Sequence, residues 1–269
     1  SLQEEAVNYD DGDVDDDDDV DDDDDRVQCD DDDDDDVYDD VDKPEDVSIA
    51  HIGEALAAFI ALEFKSNDSP FDDFIGGDVA ALSNVQRRGA ELFYGKAGCS
   101  SCHSGPLLSD QKFHALMIPP FGPGRTRRFD PFVRDVGRMG ETDDLADAYR
   151  FRTPSLRNVT LTAPYGHNGA FPTLEGIVRH HLDARQSLKE WQPKHANLPS
   201  ANWLEAIDFL VLDDQIEMER YQRKLDIENV ALDNTEISEI VAFLGALTGR
   251  THFPRGVPKT VPSGLPVDH

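Results

Sequence analysis

Cys99-Ser100-Ser101-Cys102-His103 places two thiols three residues apart and an imidazole directly after the second. This spacing is the covalent attachment site for a c-type haem. Two cysteine thiols add across the two vinyl groups of one porphyrin, and the next side chain then lies beneath the iron, where an imidazole nitrogen is a suitable ligand. Cys99 and Cys102 are therefore read as anchors and His103 as the proximal ligand. Zinc knuckles and redox motifs also use CxxC, but a zinc site needs two further N or S ligands at matching spacing, and a thioredoxin-like motif needs a βαβ context. The remaining cysteine, Cys29, sits inside an acid run. It is either free or bridged to another chain.

A sixth iron ligand decides between electron transfer and peroxide chemistry. The candidates are His114, Met117, Met139, His167, His180 and His181. In the segment after Thr173 the apolar stripe is Leu174, Ile177, Val178 and Leu182, which puts His181 on the stripe and His180 about 100° away from it. His181 is the favoured ligand. Met139, between two glycines, is the best alternative on chemistry, with a thioether raising the potential where a second imidazole would lower it.

The elements that must position these groups are helices. Ile49, Ile52, Leu56, Phe59 and Ile60 fall mainly at i, i+3, i+4 spacing and predict a helix burying one stripe, where a folded domain begins. Ser69-Pro70 and Gly76-Gly77 read as chain breaks. Ser83 and Gln86 form a capping box ahead of a helix that delivers the haem motif and stops at Gly95 and Gly98. Residues 104–165 are rich in Pro, Gly and Arg and read as loops with one short helix near Asp143–Tyr149. Arg125, Arg127, Arg128, Arg134 and Arg138 are candidates for haem propionates, with solvent-facing arginine as the competing reading. Later helices are predicted over Thr173–Ala184, Ala201–Arg223 with a break near Asp213, and Thr235–Leu247. Trp191 and Trp203 read as packing residues. No alternating strand segment of convincing length is present.

With 269 residues and 38% hydrophobic content the chain can bury one substantial core. No apolar run approaches the roughly 18 residues of a membrane span. Residues 1–46 hold 27 Asp and Glu against Arg26 and Lys43, so most of the net charge of −31 belongs to this segment. Its composition predicts disorder, with a basic partner or cations as what it would attract, and EF-hand loop spacing is absent. Nothing in the chain reads as a nucleic-acid footprint. Haem c attachment is normally completed outside the cytoplasm, which predicts a bacterial periplasmic or extracellular location. No signal peptide is visible at Ser1, so the chain is expected to be processed or incomplete. The organisation expected is an acidic segment 1–46, a cytochrome c domain 47–252 and a Pro-rich tail 253–269, the fold all-α with long loops around one covalently bound haem.

The stretch from Ile49 to Gly249 resembles the C-terminal half of the bacterial dihaem cytochrome c peroxidase and MauG family. The resemblance is carried by Gly-Ala-Glu-Leu-Phe before Gly98-Cys99-Ser-Ser-Cys102-His103-Ser-Gly-Pro, Asp135-Val-Gly-Arg138, Phe151-Arg-Thr-Pro-Ser-Leu-Arg157-Asn158-Val, Leu161-Thr162-Ala163-Pro164-Tyr165-Gly-His167-Asn-Gly169, Thr173-Leu-Glu and Ile240-Val-Ala-Phe-Leu. It implies that the position fourteen after His167, here His181, ligates the second haem. It also implies a calcium ion held by backbone carbonyls matching Thr162 and Pro164, an ordinary turn being the competing reading of both. His167 matches a loop position between the haems. A second CxxCH, which in the family carries the peroxide-reactive haem, is missing from this sequence.

Together these readings make the domain an electron-transfer cytochrome working with a redox partner protein, with hydrogen peroxide as the final oxidant of the complete system. The alternative is a peroxidase or MauG-like enzyme in which this chain or a partner haem reacts directly with peroxide. A third reading, an acidic calcium-responsive interaction protein with a structural haem, requires the Asp run to bind ions tightly.

Overall fold

The computed structural model describes residues 43, 47–63, 66–122, 134–196, 198, 205 and 207–250. Expectations for the Asp-rich run, Cys29, Arg125, Arg127, Arg128, Trp203 and the Pro-rich end lie outside them. The chain divides into two units, Ser1–Lys65 with His252–His269, and Ser66–Thr251. In the first, α1 spans Ile49–Glu63 as the apolar spacing predicts. Its stripe is not buried: Ile49, Ile52, Leu56 and Ile60 are all exposed. Alanine-rich helix propensity is enough to account for the local structure.

The second unit is helical, with α2 at Pro70–Ile75, α3 at Asn84–Tyr94, α4 at Met139–Thr142, α5 at Leu174–Leu182, α6 at Ala184–Glu190, α7 at Leu210–Asp213, α8 at Gln215–Gln222 and α9 at Asn234–Gly245. Capping explains most of the boundaries. Ser83 and Gln86 close the expected box on α3, and Asp233 and Glu236 close one on α9. Ser69-Pro70, read as a break, instead starts α2, because Ser69 and Asp72 cap each other and proline in the first turn gives up only an N–H that has no helical partner. The single helix expected over Thr173–Ala184 ends at Leu182, since the Asp183 carboxylate turns to accept from the Gln186 N–H and begins α6. Asp214 divides α7 from α8 in the same way, accepting from Glu217 N–H.

The core lies between α3 and α9. Gly89 makes their crossing possible: a Cβ there would stand 1.9 Å from the Glu239 carbonyl oxygen. Phe93 and Phe243 meet beneath it with ring centroids 5.2 Å apart, and Phe71 closes on Phe243 edge-to-face at the same distance. A side chain buried as completely as Phe243 contributes about 2–3 kcal/mol by removal from water. Arg88–Glu239 and Lys96–Glu236, each at 2.6 Å, clip the rim of the crossing.

A two-residue pair, β1 (Phe113–His114) and β2 (Phe151–Arg152), is antiparallel with Phe113 opposite Arg152 and His114 opposite Phe151. Two residues have no period, so the sequence carried no signal for it. The irregular chain around β1 has its carbonyls claimed by side chains: Leu116 by His180 and Pro119 by Asn168, while Ile118 accepts from the Tyr221 hydroxyl. Loop backbone can be buried on those terms. Trp191 is a packing residue, stacked on Phe121 at 5.5 Å with its indole N–H donating to Ala170 O.

Candidate haem site

The haem motif follows α3 directly. Gly98 takes a left-handed φ of 67°, which a glycine adopts without the side-chain cost, and Cys99–Ser101 then form one 3-10 turn. The His103 N–H donates to Cys99 O at 2.9 Å, so thiols and imidazole are displayed by one tight loop. Cys99 and Cys102 are unlinked thiols. Burial pushes the Cys99 thiol up to about 11, aided by the nearby Cys102. Such a sulfur is a protonated thiol at neutral pH until it reacts.

The two imidazoles share one arrangement. His103 Nδ1 donates to Leu108 O at 3.0 Å, and His181 Nδ1 donates to Ile177 O at 2.8 Å. With Nδ1 carrying the proton, each ring presents a lone pair at Nε2, the atom that binds iron. Burial holds His103 down to about 4, and the neighbouring His181 and His114 push the same way against the Leu108 hydrogen bond and Asp110. Burial also lowers His181. Both rings are therefore neutral donors at neutral pH, and His181 is close enough for its charge to be felt at His103.

His180 differs in every respect that matters for ligation. It is 0% exposed, with Nε2 donating to Leu116 O at 2.8 Å and Nδ1 accepting from Ser187 Oγ at 3.0 Å. No lone pair remains for a metal. Helical spacing alone had placed His181 on the buried stripe, yet His180 is the more buried of the two because it faces the loop carbonyl at Leu116. Met117 and Met139 belong to a separate cluster around Tyr149 and Tyr221.

His114 bonds Asp110 at 2.8 Å, and donor atoms of these two and of Cys102 lie within 4.8 Å of one another. Asp110 was not singled out by sequence, since a lone carboxylate in a loop gives no signal. His167 bonds Asp135 at 2.8 Å and stacks on Phe151 at 3.7 Å. Arg134 and Arg138 are engaged by protein carboxylates, Glu217 at 2.7 Å and Asp147 at 3.0 Å. Thr162 and Pro164 occupy an exposed loop beside the Val159–Leu161 turn. The donor set thus fits haem c: two thiols in one loop and two neutral imidazoles oriented by backbone carbonyls.

A helical domain that displays CxxCH at the end of its first core helix is that of a c-type cytochrome. No protein-family model matches the chain. Among curated proteins, cytochrome-c peroxidase IdrP1 of Pseudomonas sp. (strain SCT) is 41% identical over 40% of this chain and 34% of its own length. The cytochrome c peroxidase Ccp of Escherichia coli is 38% identical, covering 51% of this chain and 28% of the relative. The methylamine utilization protein MauG of Methylorubrum extorquens is 34% identical, covering 51% and 36%. Among solved structures, a MauG-like protein associated with microbial copper homeostasis superposes with a TM-score of 0.52 at 26% identity, over 77% of this chain and 59% of that one. The diheme peroxidase BthA of Burkholderia thailandensis, at 22% identity and a TM-score of 0.51, shares the fold. The chain is thus similar to cytochrome c peroxidases and to MauG over part of their length. It spans about a third of the length of the curated relatives it matches.

Proposed function

We propose that this chain carries one haem c, bound through Cys99 and Cys102 and ligated by His103 and His181, and passes single electrons between a redox partner protein and a second haem centre that reduces hydrogen peroxide. The observation that carries this reading is the pair of imidazoles with Nδ1 tied to backbone carbonyls and Nε2 presented. When bound, the haem supplies a one-electron iron couple. The protein's part would be to orient the His103 and His181 rings through their Nδ1 hydrogen bonds, exclude water, and keep each imidazole neutral. Two imidazoles set a lower potential than one imidazole and one thioether. With His103 and His181 both committed to holding the haem, this chain would offer peroxide no binding position, and the peroxide step is assigned to another centre. The loop carbonyls at Thr162 and Pro164 are proposed as part of a calcium site. The location proposed is the bacterial periplasm or exterior.

The test is covalent haem content of the full chain after denaturation, with spectra of both redox states. One haem per chain is expected, lost completely in Cys99→Ala/Cys102→Ala. In His181→Met the midpoint potential should rise and the low-spin spectrum should change, while His180→Gln should leave axial ligation intact. Absence of thioether-bound haem overturns the reading. Steady peroxide reduction by the chain alone, with a reduced cytochrome as donor, transfers the assignment to the peroxidase alternative.

A further inference from the structure

Outside the haem site, the most unusual chemistry in the fold is a buried phenol on a buried carboxylate. The Tyr149 hydroxyl donates to Glu217 Oε1 at 2.5 Å, and Glu217 is 3% exposed. The other carboxylate oxygen accepts from Arg134 at 2.7 Å, with Arg220 3.5 Å from it. Tyr149 holds a left-handed φ of 62°, a conformation unfavourable for a residue with a side chain and one that persists only where the surroundings impose it. Here it turns the ring inward, edge-to-face against Tyr221 with centroids 5.0 Å apart.

We infer that Tyr149 is a redox-active tyrosine that gives up an electron and a proton together, with Glu217 receiving the proton. Removing an electron alone would leave a cationic ring in an interior that cannot solvate it. Removing a proton alone is opposed by burial and by the adjacent Glu217 charge, which both raise the phenol's pKa. Coupled loss avoids both: the O–H bond breaks, the electron goes to the oxidant, the proton moves to Glu217 Oε1, and a neutral tyrosyl radical remains. Tyr221 is excluded as the radical site although it touches Tyr149, because its hydroxyl donates to the Ile118 carbonyl, and an amide oxygen does not accept the proton.

The position suits a relay. The cluster that holds both rings includes Ala184, three residues after His181, and Met117, which follows the Leu116 carbonyl that anchors His180. On the other side, Tyr221 lines a surface cleft together with Asp135, Phe151 and His167. An oxidising equivalent on Tyr149 thus lies between the haem-binding helix and a cleft open to small electron donors. In the assembled system the oxidising equivalents would come from peroxide by way of a haem centre. That physiological source rests on the function proposed above, whereas the chemistry at Tyr149 does not.

The experiment oxidises the full haem-loaded chain with photogenerated ruthenium(III) tris-bipyridine, traps it by freezing, and records the radical by electron paramagnetic resonance. Site-specific 3-fluorotyrosine, nearly isosteric with tyrosine, is placed at position 149 or at position 221, with far-ultraviolet circular dichroism as the control for folding. A fluorine-split tyrosyl signal is expected for position 149 and an unsplit one for position 221. Glu217→Gln, in the fluorinated background, should reduce the split component by about a hundredfold in rate of formation, the usual contribution of a positioned proton acceptor. A tyrosyl signal without splitting at position 149, or haem oxidation with no tyrosyl signal, overturns the inference. Loss of covalent haem would instead count against the proposed function and leaves this readout valid.

Discussion

Around α3 and α9 the interior is apolar, filled by Phe71, Phe93, Leu82, Ile240 and Phe243, with charges confined to its rim. Around Met117, Tyr149 and Tyr221 the interior is threaded with polar groups, each held by another: Tyr149 and Arg134 on Glu217, Tyr221 on the Ile118 carbonyl. The first region derives its stability from area and shape, so a volume-conserving apolar exchange there is tolerated. The second is stabilised only while every polar member keeps its partner, because an orphaned buried group forfeits its full desolvation cost. The haem motif is mounted on the first. This pairs a rigid support for the iron ligands with a separate, polar neighbourhood where proton movement is possible.

The largest effect that probes this contrast is steric. Gly89→Ala sets a methyl group 1.9 Å from the Glu239 carbonyl and 2.8 Å from Phe243 Cβ, contacts that neither backbone can relieve without parting the helices. The expected destabilisation is about 3 kcal/mol, read as a lowered urea midpoint with the slope unchanged. A loss under about 1 kcal/mol would show that the crossing yields, and that the apolar region is less closely packed than its polar neighbour.

A smaller effect belongs to the polar region. Tyr149→Phe removes the donor on Glu217 Oε1 and should cost about 1–2 kcal/mol while leaving haem content unchanged. The sharper measurement is the double-mutant cycle with Glu217→Gln, where the two losses should fall short of additivity by more than about 0.5 kcal/mol. Strict additivity would mean that the two groups do not act as a unit, and the distinction drawn between the regions would fail on that side.

The two regions also differ in how far a linear chain discloses them. Thiols and proximal imidazole lie within five consecutive residues, and the capping residues of α3 and α9 within four, so local spacing marks out Cys99, Cys102 and His103 as candidates and discloses these two helices. His181 is singled out as a candidate by helical geometry and the resemblance. Choosing between His180 and His181 from the buried stripe alone missed that a loop carbonyl, Leu116 O, is 64 residues away from the ring it holds. Tyr149 and Glu217 are 68 residues apart, and Arg134 and Glu217 are 83 apart. Pairs formed by chain return leave no periodicity to read. The apolar residues of α1 mark the opposite case, a legible pattern whose expected burial the structure does not show.

The smallest effect expected is in acid, at Asp72. Burial alone would raise its carboxyl, but hydrogen bonds from Arg157 and Ser69 and the Arg157 charge outweigh burial and hold it below its ordinary value of 3.8. Arg157 reaches it at 2.8 Å while its Nε donates to Pro106 O, so the pair ties the start of α2 to the loop after the haem motif. A carboxyl whose folded value is depressed contributes stability that is fully present above the unfolded value, because both states are then ionised and only the folded one has the partner. Below 3.8 the unfolded chain takes up the proton first, and the contribution fades as pH falls through the folded value. Other carboxyl groups titrate in the same range, so the signal must be taken as a difference. The stability gap between wild type and Arg157→Met, from urea midpoints at a series of pH values, should be constant from neutral pH down to about 4 and narrow below it. A gap that stays constant through the acid range would mean that Arg157 acts through Pro106 O and packing, with the Asp72 charge contributing nothing.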